Sequence, residues 1–212
     1  MIVMLDLILK FYMTKFFRIK ILTIISFLML INHGLTSTYS EEKDFVSNFA
    51  DSAIGILSDI SVSEGERNNK FTDLVMSAID LNLISKFVLS KSWKNATDDQ
   101  KGRYLKAFKD YFINSYANKL DQYSGEQVEV VDAEEAGKYV IVNSYIYREG
   151  TDTLKINLKW RILNRNGEIK IIDLNIEGIS LIIAQREEFQ SFLANNEGDL
   201  EKLIEKIVSV SN

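Results

Sequence analysis

From Leu154 to Ile162 the chain alternates strictly: Leu154, Ile156, Leu158, Trp160 and Ile162 are apolar, and Lys155, Asn157, Lys159 and Arg161 are polar. A period of two over this length is the pattern of a strand with one face buried and one face wet, as in antiparallel sheets. It forces the chain to supply a cover for the apolar face. Before Gln127 the periodicity is helical, and after Gly178 it becomes helical again.

The turns beside this strand suggest its partners. Asn164-Arg165-Asn166-Gly167 suits a type I turn closed by a left-handed Gly, a three-residue hairpin loop. That loop sets Trp160 opposite Ile172, Leu158 opposite Leu174, Ile156 opposite Ile176 and Lys159 opposite Asp173. A two-residue loop at Asn166-Gly167 would instead put Trp160 against Asp173, a poorer pair. On the other side, a loop at Glu149-Gly150-Thr151 sets Val140 opposite Trp160, Val142 opposite Leu158, Ser144 opposite Ile156 and Ile146 opposite Leu154. Arg148 then meets Asp152. Both hairpins agree on one apolar face, and Tyr139, Tyr145 and Tyr147 share the other with Lys155 and Arg161. Gln127 to Asp132 is expected to add a strand, with Val128 and Val130 on one side.

The cover is expected from helices. Phe45, Phe49, Ala53, Ile56, Leu57 and Ile60 form a stripe over 42–60, and residues 66–92 read as two helices meeting near Asp80. Thr97-Asp98-Asp99-Gln100 fits a capping box. It opens a helix bearing Tyr104, Phe108, Tyr111, Phe112, Tyr116 and Leu120, an aromatic stripe that serves either as core or as a ligand wall. Beyond Gly178 the chain is expected to leave the sheet for a helix with Arg186, Phe189, Phe192 and Leu193, then a last helix from Gly198-Asp199. The fold class is α+β: a twisted antiparallel sheet of about four strands with helices over its apolar face, in a single domain spanning 41–212.

Residues 1–40 read as an export signal. Lys15, Arg18 and Lys20 precede a short apolar run, Ile21 to Ile31, and Thr38 and Ser40 stand at a cleavage spacing, with Met13 as the working start. The run is shorter than the ~20 residues of a membrane span. An uncleaved anchor helix is the other reading. Removing Lys10, Lys15, Arg18, Lys20 and Asp6 with this segment leaves 21 basic and 29 acidic residues, a net charge of −8. Such a chain is repelled by nucleic acid.

The chemistry available is narrow. The sequence has no Cys and one His, His33, inside the export segment. Thiol chemistry, most His catalysis and most zinc sites are thereby excluded, and no metal or cofactor is expected. Asp173 and Glu177 fall on one sheet face, near Lys159 and Lys155. They read as ion-paired surface groups or as the two carboxylates of a hydrolase. Arg186 suits a phosphate or carboxylate ligand, or ties its helix back to Asp173 or Glu177.

The stretch "IIDLNIEGISLIIAQREEF" resembles the signature of the MlaC family, the auxiliary toluene-tolerance component of a phospholipid ABC transport system. Asp173, Ile176, Glu177, Gly178, Ser180, Leu181, Arg186 and Phe189 carry the match, and Trp93, Ala96, Thr97, Gln100 and Phe108 match a second family pattern. The resemblance implies a non-enzymatic periplasmic carrier with a lipid cavity. It would move phospholipid between an outer-membrane lipoprotein complex and an inner-membrane ABC transporter complex. The lipid would be held by Val140, Val142, Ser144, Leu154, Ile156, Leu158, Leu174 and Ile176 of the sheet, faced by Phe108, Phe112 and Tyr116. A solid-cored periplasmic adaptor and a carboxylate-dependent hydrolase are the rival expectations.

Overall fold

The structure is a computed structural model, and it describes residues 39–117, 125–148 and 155–211. Residues 1–38, nearly all of the segment expected to be an export signal, lie outside the described residues, as do Leu154 and the loop expected at Glu149-Gly150-Thr151. Tyr39–Asn212 forms one compact unit. Its element order is α1 (Ser40–Ser58), α2 (Glu64–Ala78), α3 (Leu81–Leu89), α4 (Lys91–Asn95), α5 (Asp98–Ala117), β1 (Glu126–Ala136), β2 (Tyr139–Arg148), β3 (Ile156–Arg165), β4 (Glu168–Ile176), β5 (Ile179–Ser180), α6 (Leu181–Asn195) and α7 (Leu200–Ser211). The five strands form an open antiparallel meander in chain order.

Local chemistry sets the helix ends. Asp80 separates α2 from α3 and accepts the Leu83 N–H at 2.9 Å. The capping box is present in both directions: Gln100 N–H donates to Thr97 Oγ1 at 3.2 Å, and Thr97 N–H donates to Gln100 Oε1 at 3.0 Å. Asp199 caps α7 by accepting the Glu201 N–H at 2.9 Å. Ile60 is not part of the α1 stripe; α1 ends at Ser58, and Ile60 is 95% exposed.

The apolar face of the sheet is as expected, but the registers are not. Val140 pairs with Ile162, Val142 with Trp160, Ser144 with Leu158 and Ile146 with Ile156, a shift of two residues. Because side chains alternate with period two, a two-residue slip leaves every face unchanged. Arg148 pairs with Glu126 of β1, its neighbour in register. The β3–β4 loop is the two-residue one. Asn166 and Gly167 have φ of 55° and 87°, the type I′ turn whose twist suits a hairpin. Trp160 nevertheless escapes Asp173, because Ile172 is an extra residue, a bulge that shifts the ladder. Trp160 therefore meets Leu174, Leu158 meets Ile176, Arg161 meets Asp173, and Lys159 meets Asn175.

The chain does not leave the sheet at Gly178. Glu177 and Gly178, with φ of 50° and 88°, form a second tight reversal, and Ile179–Ser180 returns as a fifth strand before α6. On the outer sheet face, Lys155 Nζ sits 3.8 Å from the Tyr145 ring centroid and Arg161 lies 5.9 Å from that of Tyr139.

The core lies between the sheet and the helices. Val46, Val142, Ile162, Val88, Leu89 and Leu203 are fully buried. Burial of each such side chain contributes about 1.5–3 kcal/mol. The aromatic face of α5 joins this core: Tyr104 and Phe108 are buried, and Phe108 meets Phe189 of α6 edge-on at 6.2 Å. Burial pushes the Tyr104 hydroxyl far above its ordinary pKa, so it stays neutral and donates to the Ser85 carbonyl.

Candidate functional site

A hollow of about 320 Å³ opens between the sheet and α1–α2. That is near the lower end of the ~300–1,000 Å³ usual for small-molecule sites. Phe49, Ala53, Ile54 and Leu57 line it from α1, Phe71 and Val75 from α2, and Phe112 from α5. The sheet contributes Val128, Ile146, Leu158, Trp160, Leu174 and Ile176, and α6 contributes Leu181 and Ile182. The lining is apolar apart from two carboxylates, Glu126 and Asp173.

Both carboxylates are engaged. Glu126 pairs with Arg148. Asp173 is 4% exposed, accepts the Ser180 hydroxyl at 2.7 Å and the Ile182 N–H at 3.3 Å, and lies 3.7 Å from the Arg161 guanidinium. A buried charge is tolerable when it is paired and hydrogen-bonded in this way. Ser180 also caps α6, its hydroxyl accepting the Ile183 N–H. The "DLNIEGIS" stretch is therefore a joint: a strand, a tight reversal and a capped helix, with Asp173 fastening the last to the first. It places Leu181 and Ile182 at the hollow.

The remaining motif residues have separate surroundings. Glu177 accepts hydrogen bonds from the backbone and side-chain N–H groups of Asn157, so it fixes the turn to β3 and has neither Lys159 nor Lys155 as its partner. Arg186 reaches neither Asp173 nor Glu177; its guanidinium stacks 4.8 Å from the Phe87 ring centroid. Among the described residues, no cluster of three or more His, Cys, Asp or Glu is placed to hold a metal ion.

Of the side chains expected to meet a ligand, Phe112, Leu158, Leu174 and Ile176 line the hollow. Phe108, Val140, Val142 and Ser144 are buried in the solid core beside it, and Ile156 is 37% exposed at the sheet end. Tyr116 falls within α5, but its side chain is outside the described part, and Leu154 lies outside the described residues. The wall formed by α1 and α2 was not expected. The spacing of Phe49, Ala53 and Leu57, four residues apart on one helix face with a small residue between two large ones, was its available signal.

Fold and hollow together define a class: an α+β protein that keeps an apolar space under a helical cover. The model of the MlaC protein family matches residues 38–209, and the chain belongs to that family. The intermembrane phospholipid transport system binding protein MlaC of Haemophilus influenzae is 25% identical over 107 residues, 49% of this chain and 50% of that protein. The toluene tolerance protein ttg2D of Pseudomonas putida is 26% identical over 129 residues, 60% of this chain and 59% of that one. The chain thus spans about half the length of these relatives, or slightly more. A phospholipid-binding protein from Ralstonia solanacearum, solved in complex with a phospholipid, shares the fold with a TM-score of 0.69 at 18% identity. The match covers 80% of this chain and 96% of that one.

Proposed function

We propose that this protein is a periplasmic phospholipid carrier that acts without catalysis. The hollow carries the reading: its lining is apolar, and its two carboxylates are already paired. The family and the lipid-bound structural relative support it. Two exposed acyl chains of about 16 carbons cost on the order of 25 kcal/mol in water, at ~0.8 kcal/mol per methylene. A lipid therefore does not cross an aqueous gap unaided. A protein that encloses the tails exchanges one apolar setting for another, which makes loading reversible and needs no reaction.

On this reading residues 1–40 are a signal peptide translated from Met13 and removed near Ser40, leaving 41–212 as one lipid-binding domain. Among the described residues no helix is long and apolar enough to cross a membrane. The carrier serves an outer-membrane lipoprotein complex and an inner-membrane ABC transporter complex, and so maintains outer-membrane lipid asymmetry. Native mass spectrometry of protein purified from the periplasm tests the core of this. The expected result is a bound mass equal to a phospholipid, lost on delipidation and regained from vesicles. Protein that emerges without lipid and takes none from vesicles overturns it.

A further inference from the structure

The lining of the hollow ends at Phe49 on α1 and at Trp160 on β3. Cross-strand pairing arranges the apolar sheet face in rungs. The rung of Val128, Ile146 and Ile156 lies at the end nearest Glu126. Two residues further along is the rung of Ser144, Leu158 and Ile176, and then that of Val142, Trp160 and Leu174. Successive rungs stand ~7 Å apart, so Trp160 lies ~14 Å from the first. In the rung of Trp160, Val142 is 0% exposed and does not touch the hollow, and one rung beyond on β3 the same holds for Ile162.

α1 undergoes the same change at the same level. Val46 is 0% exposed and lies in the core, whereas Phe49 and, further on, Ala53, Ile54 and Leu57 line the hollow. The Phe49 and Trp160 rings meet edge-on at 5.8 Å, with planes at 71°. On the β4 side the lining runs one rung further, to Ile171, which is bridged to Ile79. The Trp160 indole is held in place, since its Nε1–H donates to Ser144 Oγ at 2.8 Å. A freely turning ring would make an indefinite boundary; a hydrogen-bonded one sets a fixed boundary.

We propose that the Phe49–Trp160 pair is the end wall of the hollow and sets the length of acyl chain the protein encloses, with Ser144 as the residue that positions the indole. The inference rests on the phospholipid reading. A methylene within the limit finds apolar surroundings in the protein as it does in a bilayer, so length has little effect there. A methylene beyond the limit is displaced toward water. Each one lowers occupancy relative to a bilayer by up to about fourfold, from ~0.8 kcal/mol per methylene and 1.4 kcal/mol per decade.

The test loads delipidated protein from vesicles containing equal parts of phosphatidylglycerols that differ only in saturated chain length, and reads the bound distribution by native mass spectrometry. Wild type is expected to show a limiting length, above which occupancy falls steeply. Trp160→Ala and Phe49→Ala are expected to move that limit to longer chains. Ile146→Ala, which enlarges the hollow two rungs from the wall, is expected to leave it in place. If Trp160→Ala does not fold, Phe49→Ala decides alone. A limit that stays put in both wall variants while lipid still binds overturns the wall and leaves the carrier reading intact; so does a limit that Ile146→Ala moves equally far. Wild type that takes no lipid of any length overturns both.

Discussion

The Trp160 indole N–H donates to the Ser144 hydroxyl at 2.8 Å, and the two residues are 7% and 4% exposed. Each explains the other: a hydroxyl on a buried strand face has its partner, and a buried indole N–H has its acceptor. Ser144 does not line the hollow. Ser144→Ala strands the indole N–H and is expected to cost about 1–3 kcal/mol. Trp160→Phe removes the donor, so adding Ser144→Ala to it should cost clearly less than Ser144→Ala alone. Ser144→Phe should destabilise by about 1–3 kcal/mol or more through overpacking. Urea unfolding of the four variants provides the check, and additive losses in the double variant would contradict the coupling.

Asp173 makes the second prediction. Its carboxylate receives the Ser180 hydroxyl and the Ile182 N–H, at the start of α6, beside Arg161. Asp173→Ala removes an ionised acceptor from two donors, a loss of about 1.5–3 kcal/mol for a hydrogen bond to a charged group. Asp173→Asn keeps one oxygen acceptor and should lose less. Amide hydrogen exchange should quicken first in the opening turn of α6. Unchanged exchange there would mean that the carboxylate does not hold the joint.

What the sequence disclosed, and what it hid, follow from the period of each element. Alternation decides which side chains share a face, so Leu158, Trp160, Leu174 and Ile176 were legible as one surface. It does not decide which rung opposes which, because a slip of two keeps every face; hence Val140 was placed opposite Trp160 when it meets Ile162. The Ile172 bulge adds a residue without breaking the apolar pattern, since Ile171 and Ile172 are both buried. Caps are local, and the Thr97–Gln100 box could be read directly. The cover of the hollow is not local. An apolar stripe on α5 and one on α1 look alike, and only tertiary packing sends Tyr104 and Phe108 into the core while Phe49 and Leu57 face the hollow.

A third prediction concerns acid. Arg103 and Gln100 of α5 donate to Glu201 of α7, holding its pKa down at about 2 from an ordinary 4.5. A carboxyl whose pKa is depressed on folding stabilises the fold above its unfolded value and loses that contribution as pH falls through the folded one. The window is therefore pH 4.5 down to about 2. The group is solvent-exposed, so the effect is small. The urea midpoint of wild type should exceed that of Glu201→Gln at neutral pH, and the gap should close across this window. A gap independent of pH would show that the loss comes from packing and not from the charge.

The last prediction is that lipid retention depends little on salt. The two carboxylates at the hollow are each beside an arginine, Glu126 with Arg148 and Asp173 with Arg161, and the rest of the lining is apolar. A chain with a net charge of −8 after residue 40 offers no general attraction to an anionic head group. Tail burial should then supply the retention, and screening, with a Debye length of ~3 Å at 1 M, acts weakly on buried apolar contacts. Phosphatidylglycerol occupancy measured by native mass spectrometry after incubation across a salt series should stay nearly level, or rise slightly as repulsion from the acidic surface is screened. A steep fall would identify an electrostatic grip on the head group. Arg148, at the end of the sheet furthest from Trp160, would be its first candidate, and Arg148→Gln should then abolish the salt dependence.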